Sequence, residues 1–115
     1  MGVEVEAEQR DDGLRVALSG DLDLASAPSV EERLVELEAV DSPSDLVLDL
    51  RGLSFIDSTG LSLLINTDKR VRKAGGRVTI VSGSGATRRL LETTGLIDRL
   101  DVVEEWGGPN WVQQA

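Results

Sequence analysis

The chain has 115 residues, 21 Asp+Glu against 12 Lys+Arg, a net charge of −9, 40% hydrophobic residues and only 3% aromatic ones. That is one domain with an aliphatic core, and its acidity argues against nucleic acid as a partner, because phosphate contacts dominate such binding. Neither Cys nor His occurs, which removes disulfides, the usual zinc and iron–sulfur sites, and Ser-His-Asp or Cys-His nucleophilic pairs. A Ser-Lys or paired-carboxylate enzyme is left formally open.

Taken in order, Val3–Ala7 alternates apolar and acidic residues and reads as an edge strand. Asp11-Asp12-Gly13 is a hairpin signal, and Leu14–Leu18 a second strand. Ser19–Ala27 is expected to be a loop. Pro28–Val40 is an amphipathic helix, with Val30, Leu34 and Leu37 at i, i+4 and i+7. Asp41-Ser42-Pro43-Ser44 stops it. Leu46–Leu50 reads as a buried central strand, and Arg51–Ile56 as its connection to Asp57-Ser58-Thr59-Gly60, a helix-start signal. That helix runs to about Ala74. Lys69, Arg70, Arg72 and Lys73 crowd its last turns, where cations oppose the dipole, and Gly75-Gly76 ends it. Arg77–Val81 is a strand, Ser82–Ala86 a loop, Thr87–Thr93 a short helix, Gly95–Leu100 a further helical turn and Asp101–Val103 a last strand.

Strands alternating with helices predict an α/β fold: a mixed, mostly parallel sheet of four to five strands with about four helices. The domain is expected to span residues 1–103, with 104–115 a tail that carries Trp106 and Trp111. No apolar run approaches the roughly 20 residues of a membrane helix. The acidic start Met1-Gly2-Val3-Glu4-Val5-Glu6 is not a secretory signal. A chain without Cys suits a reducing compartment, and the expectation is a cytoplasmic, monomeric protein.

The segment with most chemistry is the strand that delivers Asp57-Ser58-Thr59-Gly60 to a helix N-terminus. First-turn amides lack intrahelical partners and attract anions. A hydroxyl there is accessible, and a phosphate added to it can be held by the helix end. Asp57 adjoins Ser58, and Asp21 and Asp23 fall in a loop expected at the same sheet edge. Phosphorylation adds about −1.5 to −2 charge, which turns a moderately acidic surface into a strongly anionic one and disrupts a partner interface. Spacing alone is also satisfied by a plain N-cap at Asp57 or Ser58.

The pattern resembles the STAS domain of bacterial anti-sigma factor antagonists. The resemblance rests on Ser19-Gly20-Asp21-Leu22-Asp23, on Leu46–Leu50 leading to Leu53-Ser54-Phe55-Ile56-Asp57-Ser58-Thr59-Gly60-Leu61, on Gly75-Gly76, and on Ala86–Leu96. It covers about Val3 to Val103. It implies that Ser58 is phosphorylated by an anti-sigma factor that is also a Ser/Thr protein kinase. Asp57, Thr59, Gly60, Leu61, Asp21 and Asp23 then form the phosphosite surround and partner surface. Thr59 is a possible minor acceptor, and Gly60 leaves room for the partner backbone. The implied mechanism is partner switching. The unphosphorylated chain binds the anti-sigma factor and frees the sigma factor, phosphorylation releases it, and a Ser/Thr phosphatase resets it. The chain is then substrate and ligand, with no catalytic residue and no cofactor of its own; ATP and magnesium belong to the kinase. An alternative within the resemblance is a soluble subunit of a stress-signalling complex or of a lipid or anion transporter. An enzyme using Ser58 is disfavoured, because Lys69 lies turns away along the helix.

Three further features read as structural. Ser82-Gly83-Ser84-Gly85-Ala86-Thr87 lacks the Lys of a phosphate-cradling loop and reads as a turn capping the next helix. Arg88 and Arg89 read as solvated charges. The basic run Lys69–Lys73 is explained by the helix dipole.

Overall fold

The computed structural model describes residues 2–10, 13–41 and 45–105. The elements are β1 (Val3–Arg10), β2 (Gly13–Leu22), α1 (Ala27–Asp41), β3 (Asp45–Ile56), α2 (Ser58–Lys73), β4 (Arg77–Val81), α3 (Ala86–Thr93), a 3-10 turn (Leu96–Asp98) and β5 (Val102–Val103). The sheet order is β1-β2-β3-β4-β5. β1 runs antiparallel to β2, and every other neighbouring pair is parallel. The expected mixed sheet is therefore present with five strands. The fourth helix of the sequence reading is the 3-10 turn, which leaves three α-helices among the described residues. The Asp11-Asp12 turn, the Ser42-Pro43-Ser44 stop and residues 106–115 of the tail, with Trp106 and Trp111, lie outside the described residues, while Gly83 N–H bonds the Glu104 carbonyl at 2.9 Å at the start of that tail.

Strands taken in sequence order, joined by right-handed crossovers, place every helix on the same face of the sheet. The core agrees. Leu14, Val16, Leu18 and Leu22 of β2, Leu46, Leu48, Leu50 and Ile56 of β3, and Val78 and Ile80 of β4 pack with Val30 and Leu34 of α1, Leu64 and Val71 of α2, and Leu91 of α3. Each fully buried Leu or Ile contributes about 1.5–3 kcal/mol of transfer free energy, which lets aliphatic residues alone fill the interior.

On the opposite face of β3, between Leu48 and Leu50, Asp49 is 5% exposed. Arg15 Nη2 donates to its Oδ2 at 2.8 Å; Arg51 Nε donates to Oδ1 at 2.9 Å and Arg51 Nη2 to Oδ2 at 2.7 Å. Burial raises the carboxyl's pKa, but the hydrogen bonds from the Arg51 side chain and amide, with Arg15, outweigh it and hold the group below its ordinary 3.8.

β1 runs on to Arg10 rather than ending at Ala7, and the two largest differences from the sequence reading are in β2 and β3. β2 continues through Ser19–Leu22, and β3 continues through Arg51–Ile56, where a loop and a connection were expected. The two stretches pair with each other: Ser19 with Gly52, Gly20 with Leu53, Asp21 with Phe55, and Leu22 with Ile56. Register shifts between Ala17 and Ser19 and between Gly20 and Asp21 interrupt the simple alternation. The result is a longer strand pair that carries the chain to the site.

α2 ends as its glycines predict. Gly75 adopts φ 94°, a left-handed conformation that favours glycine, and Gly76 N–H bonds the Val71 carbonyl at 2.9 Å. Its cations do more than complement the dipole. Arg70 makes a two-pronged contact with Glu38 of α1, at 2.7 and 2.9 Å, and lies 3.5 Å from Glu31. Arg72 pairs with Asp68 at 3.0 Å and with Asp101 at 3.5 Å. Arg88 also differs from a free solvated charge, lying 3.5 Å from Glu92 and 3.6 Å from Glu104. Arg89 is exposed. α3 begins after Gly85, and no side chain caps it.

Candidate functional site

β2 and β3 are parallel and end together, so both deliver their following residues to the C-terminal edge of the sheet, where α/β folds place ligands and partners. Asp57 N–H bonds the Leu22 carbonyl at 3.2 Å and fixes the start of α2 against the end of β2. Asp57 itself is extended and is the N-cap of α2. Its Oδ1 accepts from Thr59 N at 2.9 Å and from Gly60 N at 3.1 Å. Its Oδ2 reaches across and accepts from Leu24 N at 3.2 Å. One carboxylate thus caps the helix and ties down the β2–α1 loop.

Asp23 organises that loop from within. Its Oδ1 accepts from Ala25 N at 3.1 Å and from Ser26 N at 3.0 Å. Ser26 Oγ donates to the Asp21 carbonyl at 2.6 Å and accepts from Asp23 N at 3.0 Å. Asp21 stands opposite Phe55 in the ladder. Asp21, Asp23 and Asp57 are therefore brought to one edge, as the sequence predicts. None has a salt bridge among the described residues.

Ser58 is the first residue of α2 and is exposed. Thr59 is half-buried and lines a shallow groove of about 180 Å³ between α1 and α2, with Ala27, Glu31, Ser62 and Asn66. Gly60 and Leu61, grouped in the sequence reading with the partner surface, face inward. A Cβ on Gly60 would stand 2.6 Å from Ile56 Cγ1 and 2.8 Å from the Leu22 carbonyl oxygen. The space at Gly60 is therefore filled by the chain's own strands rather than left for a partner backbone. Leu61 is 7% exposed and belongs to the core.

The helix end also differs from the anion cradle expected from its position. The amides of Thr59 and Gly60 are already bound by Asp57. A phosphate on Ser58 would find those two donors occupied, and would add its charge to an edge that already carries three carboxylates.

Sequence reading passes over Leu24 and takes Phe55 only as part of the motif, giving neither a role at the site; the two residues are 72% and 52% exposed at this edge. Their signal is weak: an apolar residue inside an Asp-rich loop, and an aromatic one position before the buried Ile56. A larger hollow of about 640 Å³, lined by Arg72, Arg77, Thr79, Ile97, Leu100 and Val102, lies around β4 and β5, away from Ser58. Among the described residues no group of three or more acidic side chains is placed to hold a metal ion, and no helix is long and apolar enough to cross a membrane.

Residues 4–106 match the family model of the STAS domain. The anti-sigma-B factor antagonist of Bacillus subtilis (strain 168) is 35% identical over 102 residues, 89% of this chain and 92% of that one. The anti-sigma-B factor antagonist of Staphylococcus aureus (strain NCTC 8325 / PS 47) is 33% identical over 104 residues, 90% and 95% of the two chains. The crystal structure of an anti-sigma factor antagonist from Mycobacterium paratuberculosis superposes with a TM-score of 0.80 at 29% identity, and covers 97% of this chain and 92% of the other.

Proposed function

We propose that this chain, which belongs to the STAS domain family, is an anti-sigma factor antagonist that works by partner switching at Ser58. The observation that carries the reading is the placement of Ser58: an exposed hydroxyl at the start of α2, beside a carboxylate whose oxygens are committed to backbone amides. In the unphosphorylated state the Ser58 edge binds an anti-sigma factor and so frees the sigma factor for transcription.

The anti-sigma factor is also a Ser/Thr kinase. With magnesium it transfers the terminal phosphoryl group of ATP to Ser58 Oγ; the new O–P bond forms, the bond to ADP breaks, and the hydroxyl proton is released. The product carries about −1.5 to −2 extra charge at an edge where Asp21, Asp23 and Asp57 are already present and the Thr59 and Gly60 amides are taken. Repulsion and the desolvation of a dianion then oppose rebinding. A Ser/Thr phosphatase hydrolyses the ester and restores the binding form.

On this reading the chain acts in the cytoplasm as a monomer, and is a substrate rather than an enzyme with a cofactor. With no His in the chain, a base for Ser58 would have to be Lys or a carboxylate; Lys69 is 11 residues along α2, about 16 Å by helical rise.

The test uses a Ser58→Ala bait to retain the anti-sigma factor, identified by mass spectrometry and re-bound in purified form. Wild type and Ser58→Ala bind it alike without ATP. Adding ATP and magnesium releases wild type, with one phosphate mapped to Ser58, and leaves Ser58→Ala bound. Ser58→Asp binds at least tenfold more weakly while its circular dichroism is unchanged. Equal binding by all three variants, with and without ATP, removes Ser58 from the switch.

A further inference from the structure

We infer that Leu24, on the β2–α1 loop, and Phe55, at the end of β3, are the two apolar anchors by which the anti-sigma factor grips this chain beside Ser58; the inference rests on the partner-switching reading and adds the residues that supply its affinity. Four large apolar side chains are exposed among the described residues: Leu24 at 72%, Phe55 at 52%, Val35 at 43% and Val103 at 37%. The two most exposed both lie at the Ser58 edge. Phe55 is the only Phe in the chain. It sits two residues before the N-cap Asp57, opposite Asp21 in the ladder. Leu24 sits on the neighbouring loop, its amide held by the Asp57 carboxylate.

Leu24 is exposed on a loop that is not free to fold it inward. The amides of Leu24, Ala25 and Ser26 are bound by Asp57 or Asp23, and Ser26 Oγ is bound to the Asp21 carbonyl. A loop with its backbone so tied fixes where the side chain emerges, and the backbone entropy of ordering it is already spent in folding. Binding to a preorganised apolar side chain loses little to ordering. Interfaces draw most of their affinity from a few such residues, with surrounding contacts excluding water. The edge between the anchors is negative and has no salt-bridged carboxylate among Asp21, Asp23 and Asp57, so the complementary surface is apolar with basic groups at its rim. Ser58 follows Asp57 directly and stands three residues after Phe55. A phosphate there puts a dianion into the patch whose desolvation binding requires, which explains how one modification defeats docking without unfolding anything.

The test titrates the purified anti-sigma factor retained by the Ser58→Ala bait into wild type, Leu24→Ser, Phe55→Ser, Leu24→Met, Val35→Ser and Ser58→Asp, all unphosphorylated and without ATP. Leu24→Ser and Phe55→Ser each raise Kd about tenfold or more, Leu24→Met stays within about threefold of wild type, and Val35→Ser within about twofold. Thermal unfolding of each variant shows whether the fold persists, as the exposure of the substituted side chains predicts. If Ser58→Asp fails to bind while Leu24→Ser and Phe55→Ser bind as wild type does, the anchors are refuted and the switch stands. If wild type does not bind the anti-sigma factor, or Ser58→Asp binds as well as wild type, the partner-switching reading falls and takes the anchors with it.

Discussion

At the Ser58 edge the carboxylates of Asp23 and Asp57 accept hydrogen bonds from backbone amides; at the C-terminal half of α2 the carboxylates of Asp68 and of Glu38 from the neighbouring α1 accept them from guanidinium groups. Both arrangements give the carboxylates hydrogen-bond donors, but only the second sets a positive charge against theirs. Backbone amides are neutral, so the Ser58 edge remains negative after every one of these bonds is made. A phosphate beside Arg70 or Arg72 would meet cations already paired with carboxylates, where charges of both signs stand together. The same group on Ser58 enters a field of its own sign. On the proposed reading the location of the switch is thus an electrostatic choice as well as a matter of exposure.

The comparison breaks most visibly at Asp49, the buried extreme of the guanidinium-bound kind. Removing one member of a buried pair costs about 3–5 kcal/mol. Because the Arg15 and Arg51 side chains are 28% and 41% exposed, they rehydrate in part, so Asp49→Asn is expected near the low end, about 3 kcal/mol, read by urea unfolding. The sign with pH follows from the depressed carboxyl. A folded pKa below 3.8 gives a contribution that is full above 3.8 and lost as the pH falls through the folded value. The gap between wild type and Asp49→Asn therefore narrows below pH 3.8. A gap that widens on acidification contradicts this account.

Next in size is Gly60→Ala. Alanine gains about 1 kcal/mol of helix propensity over glycine, but its Cβ would stand 2.8 Å from a backbone oxygen that cannot rotate away. Overpacking of that kind costs about 1–3 kcal/mol, and a net loss of up to about 2 kcal/mol is expected. A variant as stable as wild type would show that the close approach of α2 to β2 and β3 is not needed to seat Ser58.

The sequence made the start of α2 legible because capping chemistry is local: Asp57-Ser58-Thr59-Gly60 carries its own instruction. The lengths of β2 and β3 were hidden because Ser19-Gly20-Asp21 and Arg51-Gly52 look like loops singly and become strands only by pairing with each other. The partners of Asp49 were hidden for the same reason, since Arg15 lies 34 residues away. The charge edge could be read, because three aspartates flank motifs that end at one side of a parallel sheet. Its apolar anchors could not, because exposure is decided by what the rest of the fold leaves uncovered.

Asp57→Ala sharpens the contrast at the edge itself. Loss of an N-cap costs about 1 kcal/mol, and here it also releases the Leu24 amide from the loop side. Hydrogen exchange is expected to quicken at Leu24, Thr59 and Gly60 together, since one side chain protects all three. Faster exchange confined to Thr59 and Gly60 would show that the loop holds its shape without Asp57.

The smallest effect is expected at Arg70→Ala, and it separates the two regions by a different property. Arg70 bridges α2 to Glu38 on α1 with its side chain 31% exposed, so solvent screens the pair and its loss costs about 1 kcal/mol or less. Raising the salt to about 1 M shortens the screening length to about 3 Å, and the difference from wild type should shrink accordingly. The Asp57→Ala difference should persist under the same salt, because its bonds run to neutral amides held at fixed geometry rather than to a separate charge. Unfolding both variants at low and high salt therefore reads the comparison directly. If the Asp57→Ala cost faded with salt as Arg70→Ala does, the carboxylates at the Ser58 edge would be acting through long-range charge, and the distinction between the two ends of α2 would fail.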